Sequence, residues 1–295
     1  MRVAAVVHPL TVAPEMQEHL RRRCTELGHE LLSWQETTPE DEGTGLARDA
    51  LADSADLVVV AGGDGTVRAV ATALAGTGTA LGIVPTGTGN LLARNLSLPL
   101  HQSAALDVAL DGEPRRLDLG CATAEGEPPR HFVVMAGVGM DAAMIAGASA
   151  ESKLRLGWFA YVLSGVRSLR QRPVPCTVVV DGGAPLHRVV RSVVAGNVGQ
   201  LQAGLRLLPD ARPDDGQLDV AVIAPRGALG WLHLASRLLR RRDSGGGPLE
   251  RLRATHLEVR LARPQRWEYD GEPAGRTTSL VVTVEPGALT VMVPR

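Results

Sequence analysis

Over its first third the chain alternates short apolar runs with stretches of helical spacing. Val3–Val7 is an apolar run ended by His8-Pro9. Met16, Leu20, Cys24 and Leu27 then recur at helical spacing, and Gly28 closes that helix. Glu30–Trp34 reads as a second strand, Thr37-Thr38-Pro39-Glu40 as a turn and cap, and Gly45–Ala52 as a helix. Leu57–Ala61 and Ala80–Val84 are the third and fourth strands, and Val67–Ala75, Leu91–Leu96 and Ser103–Leu110 are helical. Strands alternating with helices predict an α/β domain with a parallel sheet, spanning residues 1–113 and closing at Asp111-Gly112-Glu113-Pro114.

The pattern changes in residues 114–295. Arg116–Ala122, His131–Ala136, Cys176–Val180, Val189–Ala195 and Leu218–Ile223 read as strands. So do His256–Arg260, Arg266–Tyr269, Ser279–Val284 and Leu289–Val293. Most neighbours are joined by turns without a helix, which favours antiparallel pairing. Helical spacing returns around Glu151–Gln171 and Ala228–Arg242, and Ser244-Gly245-Gly246-Gly247-Pro248 reads as a mobile loop. The expectation is a β-rich sandwich domain with helical insertions, its last strand free to return to the first domain.

Composition narrows the function classes. Hydrophobic residues make up 44% and charged residues 21% of 295, ordinary values for a globular enzyme. A formal net charge of −1 and only 3% aromatics give no footprint for nucleic acid. Cys24, Cys121 and Cys176 lie far apart, with no metal-ligand spacing, which fits a reducing compartment. Val3–Val7 reads as a strand and not as a signal peptide, and no run of 18 apolar residues predicts a membrane span.

The candidate chemistry begins at two glycine turns. The third strand runs into Gly62-Gly63-Asp64-Gly65-Thr66, and the fourth into Pro85-Thr86-Gly87-Thr88-Gly89-Asn90. Each turn opens a helix, and in an open α/β sheet both lie at the carboxyl edge, where ligands bind. Glycines let backbone N–H groups approach oxyanions, and each helix N-terminus adds about half a positive charge. Thr66, Thr86 and Thr88 add hydroxyls. The turn is no Walker loop, because Lys153 is the sole lysine of the chain. Asp64 among such amides points either to Mg²⁺ bridging or to a hydrogen-bonded carboxylate that shapes the loop.

Three further constellations stand in the second half. Asp141 in Ala136-Gly137-Val138-Gly139-Met140-Asp141-Ala142 reads as a helix cap. Pro209-Asp210-Ala211-Arg212-Pro213-Asp214-Asp215-Gly216-Gln217-Leu218 is either a solvated turn or a hard-cation site. Trp267-Glu268-Tyr269-Asp270-Gly271-Glu272-Pro273 is either a hairpin tip or the source of a carboxylate base. Asp270 and Glu272, two residues apart, would share a face of a regular strand, and the sequence does not choose between them.

In this order the motifs resemble the catalytic domain of diacylglycerol kinases, sphingosine kinases and related bacterial lipid kinases, across essentially the whole chain. The resemblance implies an ATP- and Mg²⁺-dependent kinase for a lipid hydroxyl such as that of diacylglycerol, docked in a cleft between domains. It implies nucleotide contacts from His8, Pro9, Thr38, Gly62, Gly63, Asp64, Gly65, Thr66, Val67, Arg68, Ala69, Thr86, Gly87, Thr88 and Asn90. It assigns a structural Mg²⁺ to the Asp215 carboxylate and the carbonyls of Arg212 and Gln217, and proton acceptance to Asp270 or Glu272. It also suggests a homodimer, a cytoplasmic location and peripheral contact with the inner face of the membrane.

Some positions depart from the family pattern. His8-Pro9 stands where Asn-Pro is usual, Leu91 follows Asn90 in place of an Asp, and Val67-Arg68-Ala69 replaces an Asn-Glu continuation. Arg68 in a first helical turn would oppose the helix dipole unless it met phosphate. Two alternatives stay open: an NAD kinase, and a catalytically weak nucleotide-binding regulator of the same fold. For membrane contact, Trp231-Leu232-His233-Leu234 with Arg237, Arg240, Arg241 and Arg242 reads as an amphipathic lipid-facing helix or as a core helix with a basic end. Trp158, Phe159 and Tyr161 offer a second such cluster.

Overall fold

The computed structural model describes residues 1–139, 172–201, 206–227, 229–231, 234 and 247–295. The chain divides into two compact units, Met1–Leu119 with Pro286–Arg295, and Gly120–Glu285.

In the first unit β1 (Arg2–Val7), β2 (Glu30–Glu36), β3 (Leu57–Gly62) and β4 (Ala80–Pro85) lie parallel in the order β2-β1-β3-β4. Val7 is level with Ala61 and Val84 with Ala61, so the turns after β1, β3 and β4 leave the sheet at one edge. The helices are α1 (Met16–Leu27), α2 (Thr44–Ala52), α3 (Asp64–Leu74), α4 (Leu91–Asn95) and α5 (Gln102–Asp111). The apolar faces of α1 and α5 bury Leu20, Cys24, Leu106 and Leu110 against Val3, Ala5, Leu57 and Val59. α5 packs so closely on β4 that a Cβ at Gly82 would lie 2.6 Å from that of Ala109.

In the second unit the strands are β5 (Glu113–Ala124, which enters from the first unit), β6 (Arg130–Phe132), β7 (Met135–Val138), β8 (Val174–Val180), β9 (Leu186–Val190), β10 (Ser192–Gly196), β11 (Leu218–Ile223), β12 (Leu249–Ala254), β13 (His256–Tyr269) and β14 (Glu272–Val293). They run in the order β12-β11-β10-β7-β13-β14, with β8 and β9 set on β13. Their registered pairs are antiparallel. β13 changes neighbour midway: Leu257–Leu261 pair with β8, and Trp267–Tyr269 with β7. A strand shared in this way lets two layers close on one core, here centred on Phe132, Val178, Val220, Leu257 and Trp267.

The observed α/β unit and β-sandwich-like unit are the expected ones, with differences in detail. α3 starts at Asp64, three residues before the apolar spacing begins, because Gly63 adopts the extended conformation of an N-cap. Arg68 therefore sits in the second turn, not the first, and is buried. The run at 131–136 divides between β6 and β7, and that at 189–195 divides at Arg191. β13 and β14 each join two expected strands, because Pro264 and Pro286-Gly287 produce register shifts or a positive φ without ending the strand. β12 was hidden by its charged Leu-Glu-Arg-Leu-Arg pattern, with Leu249 and Ala254 alone fully buried. The expected helix at 151–171, Asp141 and the cluster of Trp158, Phe159 and Tyr161 lie outside the described residues. So do most of 228–242, including Arg237 and Arg240–Arg242, and most of the loop at 244–248. Gly227, Leu229–Trp231 and Leu234 are helical.

Candidate active site

The two glycine turns of the first unit touch. A Cβ on Gly87 would lie 2.6 Å from the Gly63 Cα, so the turns after β3 and β4 fit together only with glycine at 87. At Gly62 a Cβ would lie 2.6 Å from that of Thr66, which fixes the entry into α3. At Gly65 a Cβ would meet nothing within 4 Å, leaving open space beside the first turn of α3. The first N–H groups of a helix lack partners within it, and here they flank a surface with no side chain to cover it.

Asp64 joins these turns. Its Oδ2 accepts the Asn90 amide at 2.9 Å and its Oδ1 that of Leu91 at 2.6 Å. It thereby caps α4 from another helix, while Asn90 adopts the left-handed conformation. These bonds are those of a carboxylate that shapes the loop, one of the two roles the sequence leaves open to Asp64. Burial raises its pKa above the ordinary value, against the pull of the Leu91 and Asn90 amides and the charge of Arg94. Asn90 closes its own turn, accepting from the Gly87 amide at 3.0 Å and donating to the Gly87 carbonyl at 2.7 Å. The Leu91 side chain is buried, so this position serves through its amide.

The neighbouring loops complete this edge. His8 donates its amide to Ala61 at 2.8 Å, and Thr11 and Thr86 share a hydroxyl hydrogen bond of 2.7 Å. His8 Nδ1 is buried with no hydrogen-bond partner among the described residues. After β2, Thr37 is buried and Thr38 exposed, its hydroxyl accepting from the Glu40 and Asp41 amides. Asp41 accepts in turn from Gly43, Gly45 and Leu46, and its backbone donors outweigh burial to lower its pKa. Of the nucleotide candidates, Pro9, Thr38 and Thr88 are exposed, and His8, Gly63, Asp64, Gly65, Thr86, Gly87 and Asn90 half-buried. Gly62, Thr66, Val67, Arg68 and Ala69 are buried.

In the second unit Asp270 and Glu272 part ways. Asp270 has a positive φ of 48° in the tip between β13 and β14. Its Oδ1 accepts the amides of Val134 at 2.8 Å and Met135 at 2.9 Å, and its Oδ2 that of Val133 at 2.9 Å. Its own amide donates to the Met135 carbonyl at 2.7 Å. Asn197, at the end of β10, donates its amide to Val134 at 2.9 Å. Asp270 and Asn197 thus hold one short segment, 133–135, from two sides. Glu272 opens β14 and is exposed.

A buried acid outside the motif follows the acidic turn in β11. Asp215 Oδ1 accepts the Gln217 amide at 3.1 Å, curling the chain where the cation was expected. Asp219, four residues on in β11, is buried, and its Oδ2 has no hydrogen-bond partner among the described residues. Burial is the main cause of its raised pKa; Asp215 and Asp210 add to it, and Arg253 opposes it. Arg253 Nε stands 3.7 Å from its Oδ1. Asp215 and Asp219 offer carboxylate oxygens, the hard donors that Mg²⁺ takes, and Asp219 Oδ2 is without a hydrogen-bond partner among the described residues. In sequence Asp219 is the one polar residue of the apolar run Leu218–Ile223 and belongs to no motif.

Comparison with known proteins matches residues 2–122 to the diacylglycerol kinase catalytic domain. Residues 133–293 match the YegS C-terminal NAD kinase beta sandwich-like domain. A protein of Pseudomonas aeruginosa named as a probable YegS-like lipid kinase is 36% identical over 285 residues, covering 91% of this chain and 86% of its own. A diacylglycerol kinase of Bacillus subtilis is 26% identical over 285 residues, covering 93% and 91%. The crystal structure of a diacylglycerol kinase from Bacillus anthracis superposes with a TM-score of 0.76 at 23% identity, covering 99% and 96%, a likeness of fold.

Proposed function

The chain belongs to the family of YegS-like lipid kinases and bacterial diacylglycerol kinases, and from that membership we propose that it transfers the γ-phosphate of ATP, with Mg²⁺, to the hydroxyl of diacylglycerol or a related lipid. The observation that carries this reading is the pair of interlocked glycine turns with Asp64 between them. Asp64 caps α4 so that α3 and its open first turn remain for phosphate. The hydroxyls of Thr86 and Thr88 and the loop from His8 complete the nucleotide contacts.

Phosphoryl transfer needs positioning, charge stabilisation and an acceptor for the hydroxyl proton. Glu272 takes that proton as the lipid oxygen bonds to phosphorus and the bond to the β-phosphate oxygen breaks, releasing ADP. A base of this kind contributes about 10²–10⁴-fold to rate. Asp270 positions it: three amides hold its carboxylate and fix the tip from which Glu272 departs. Mg²⁺ bound by Asp215, with the carbonyls of Arg212 and Gln217, would hold the acidic turn and neutralise its carboxylates. The enzyme acts in the cytoplasm, reaching lipid at the inner membrane face; among the described residues no helix is long and apolar enough to cross a membrane.

The test is radiolabelled ATP with a total lipid extract, followed by identification of the labelled product. A phosphorylated lipid alcohol is expected. Transfer to NAD⁺ alone would turn the assignment to NAD kinase, and ATP binding without transfer to any lipid would favour a regulator.

A further inference from the structure

Outside the residues given a role so far, Cys121, His131 and Glu285 converge in the second unit. Cys121 on β5 and His131 on β6 are direct partners in the antiparallel ladder, so their side chains share a face. β14, which carries Glu285, is the other neighbour of β5. One ligand atom from each residue lies within 4.8 Å of the others, and His131 Nε2 is 3.2 Å from Glu285 Oε1. The opposite face of the same ladder is core: Phe132 is fully buried, and its ring fills the space a Cβ on Gly120 would need. The trio is therefore held on a packed ladder, half-buried and within reach of solvent.

We propose that Cys121, His131 and Glu285 form a binding site for a divalent transition metal of the Zn²⁺ class. Thiolate, imidazole and carboxylate are the ligands Zn²⁺ takes, and three of them leave a fourth position for water. Donors around a tetrahedral zinc stand about 3.3–3.6 Å apart, so a trio within 4.8 Å lies a small side-chain movement from that spacing. The thiol makes the site selective, because Mg²⁺ prefers oxygen and leaves sulfur alone. Burial, together with the Glu285 charge, keeps the metal-free thiol protonated. Binding replaces the His131–Glu285 hydrogen bond with bonds to the metal, and the Cys121 thiol gives up its proton to solvent because the metal takes the thiolate.

Co²⁺ is the probe, titrated into the full chain with excess Mg²⁺ present. One equivalent should give a thiolate-to-cobalt charge-transfer band and release one proton. Cys121→Ser should abolish the band, and His131→Ala should weaken binding at least about tenfold. Cys24→Ser/Cys176→Ser should leave the band intact, since both thiols are buried elsewhere. Zn²⁺ should raise the melting temperature of the wild type but not of Cys121→Ser, provided circular dichroism shows that variant to be folded. No charge-transfer band in the wild type, or an equal band in Cys121→Ser, would overturn the site.

Discussion

At the scale of single residues, two carboxylates one glycine apart have different surroundings, and the proposed reaction gives them separate tasks. Glu272→Gln should reduce turnover by about 10²-fold or more while leaving ATP affinity unchanged, measured by single-turnover transfer and equilibrium binding. Asp270→Ala leaves three amide donors without their acceptor and should also lower unfolding free energy by about 2 kcal/mol or more, read by denaturant titration. If Asp270→Ala were as stable as the parent, the positioning role would fail. Asp41 gives a pH prediction. Its folded pKa lies below the ordinary 3.8, so its stabilisation is present above that value and lost as pH falls through the folded pKa. Asp41→Asn should therefore flatten the acid limb of the stability curve below about pH 4. Asp64, whose folded pKa is raised, contributes the opposite slope: between 3.8 and its folded value the native state keeps a proton that the unfolded chain has released.

At the scale of elements, the strand–glycine–helix junctions carry the nucleotide argument. Gly65→Ala separates stability from binding. Its Cβ enters open space on a helix, so stability should rise by up to about 1 kcal/mol. The same methyl stands where phosphate would lie, so the KM for ATP should rise. Gly87→Ala forces the two turns apart and should lower both melting temperature and ATP affinity. A Gly65→Ala enzyme with unchanged KM would move phosphate away from this turn. These junctions were legible in sequence because each motif is local: an apolar run, small residues, then helical spacing. What joins them was not, since Asp64 reaches amides 26 and 27 residues along the chain. Nor was Asp219, whose buried oxygen, without a partner among the described residues, is apparent only once β10 and β12 flank β11. The Cys121–His131–Glu285 trio was hidden for the same reason: the strand register, not spacing along the chain, assembles it.

At the scale of the whole molecule, Mg²⁺ should act on stability as well as on turnover. If Asp215 holds the ion, Mg²⁺ will raise the melting temperature of the wild type by mass action, and Asp215→Asn will lose that rise. Equal Mg²⁺-dependent shifts in both proteins would remove the ion from the acidic turn. β14 has a separate consequence. The chain leaves the first unit after Leu119 and re-enters it at Pro286, where Thr290 and Val291 zip onto Ala80 and Leu81 of β4. No single cut can release the amino-terminal half intact. A fragment ending at Leu119 would expose the flank of the very strand that presents Thr86, and would need Pro286–Arg295 supplied in trans as a peptide to recover its fold.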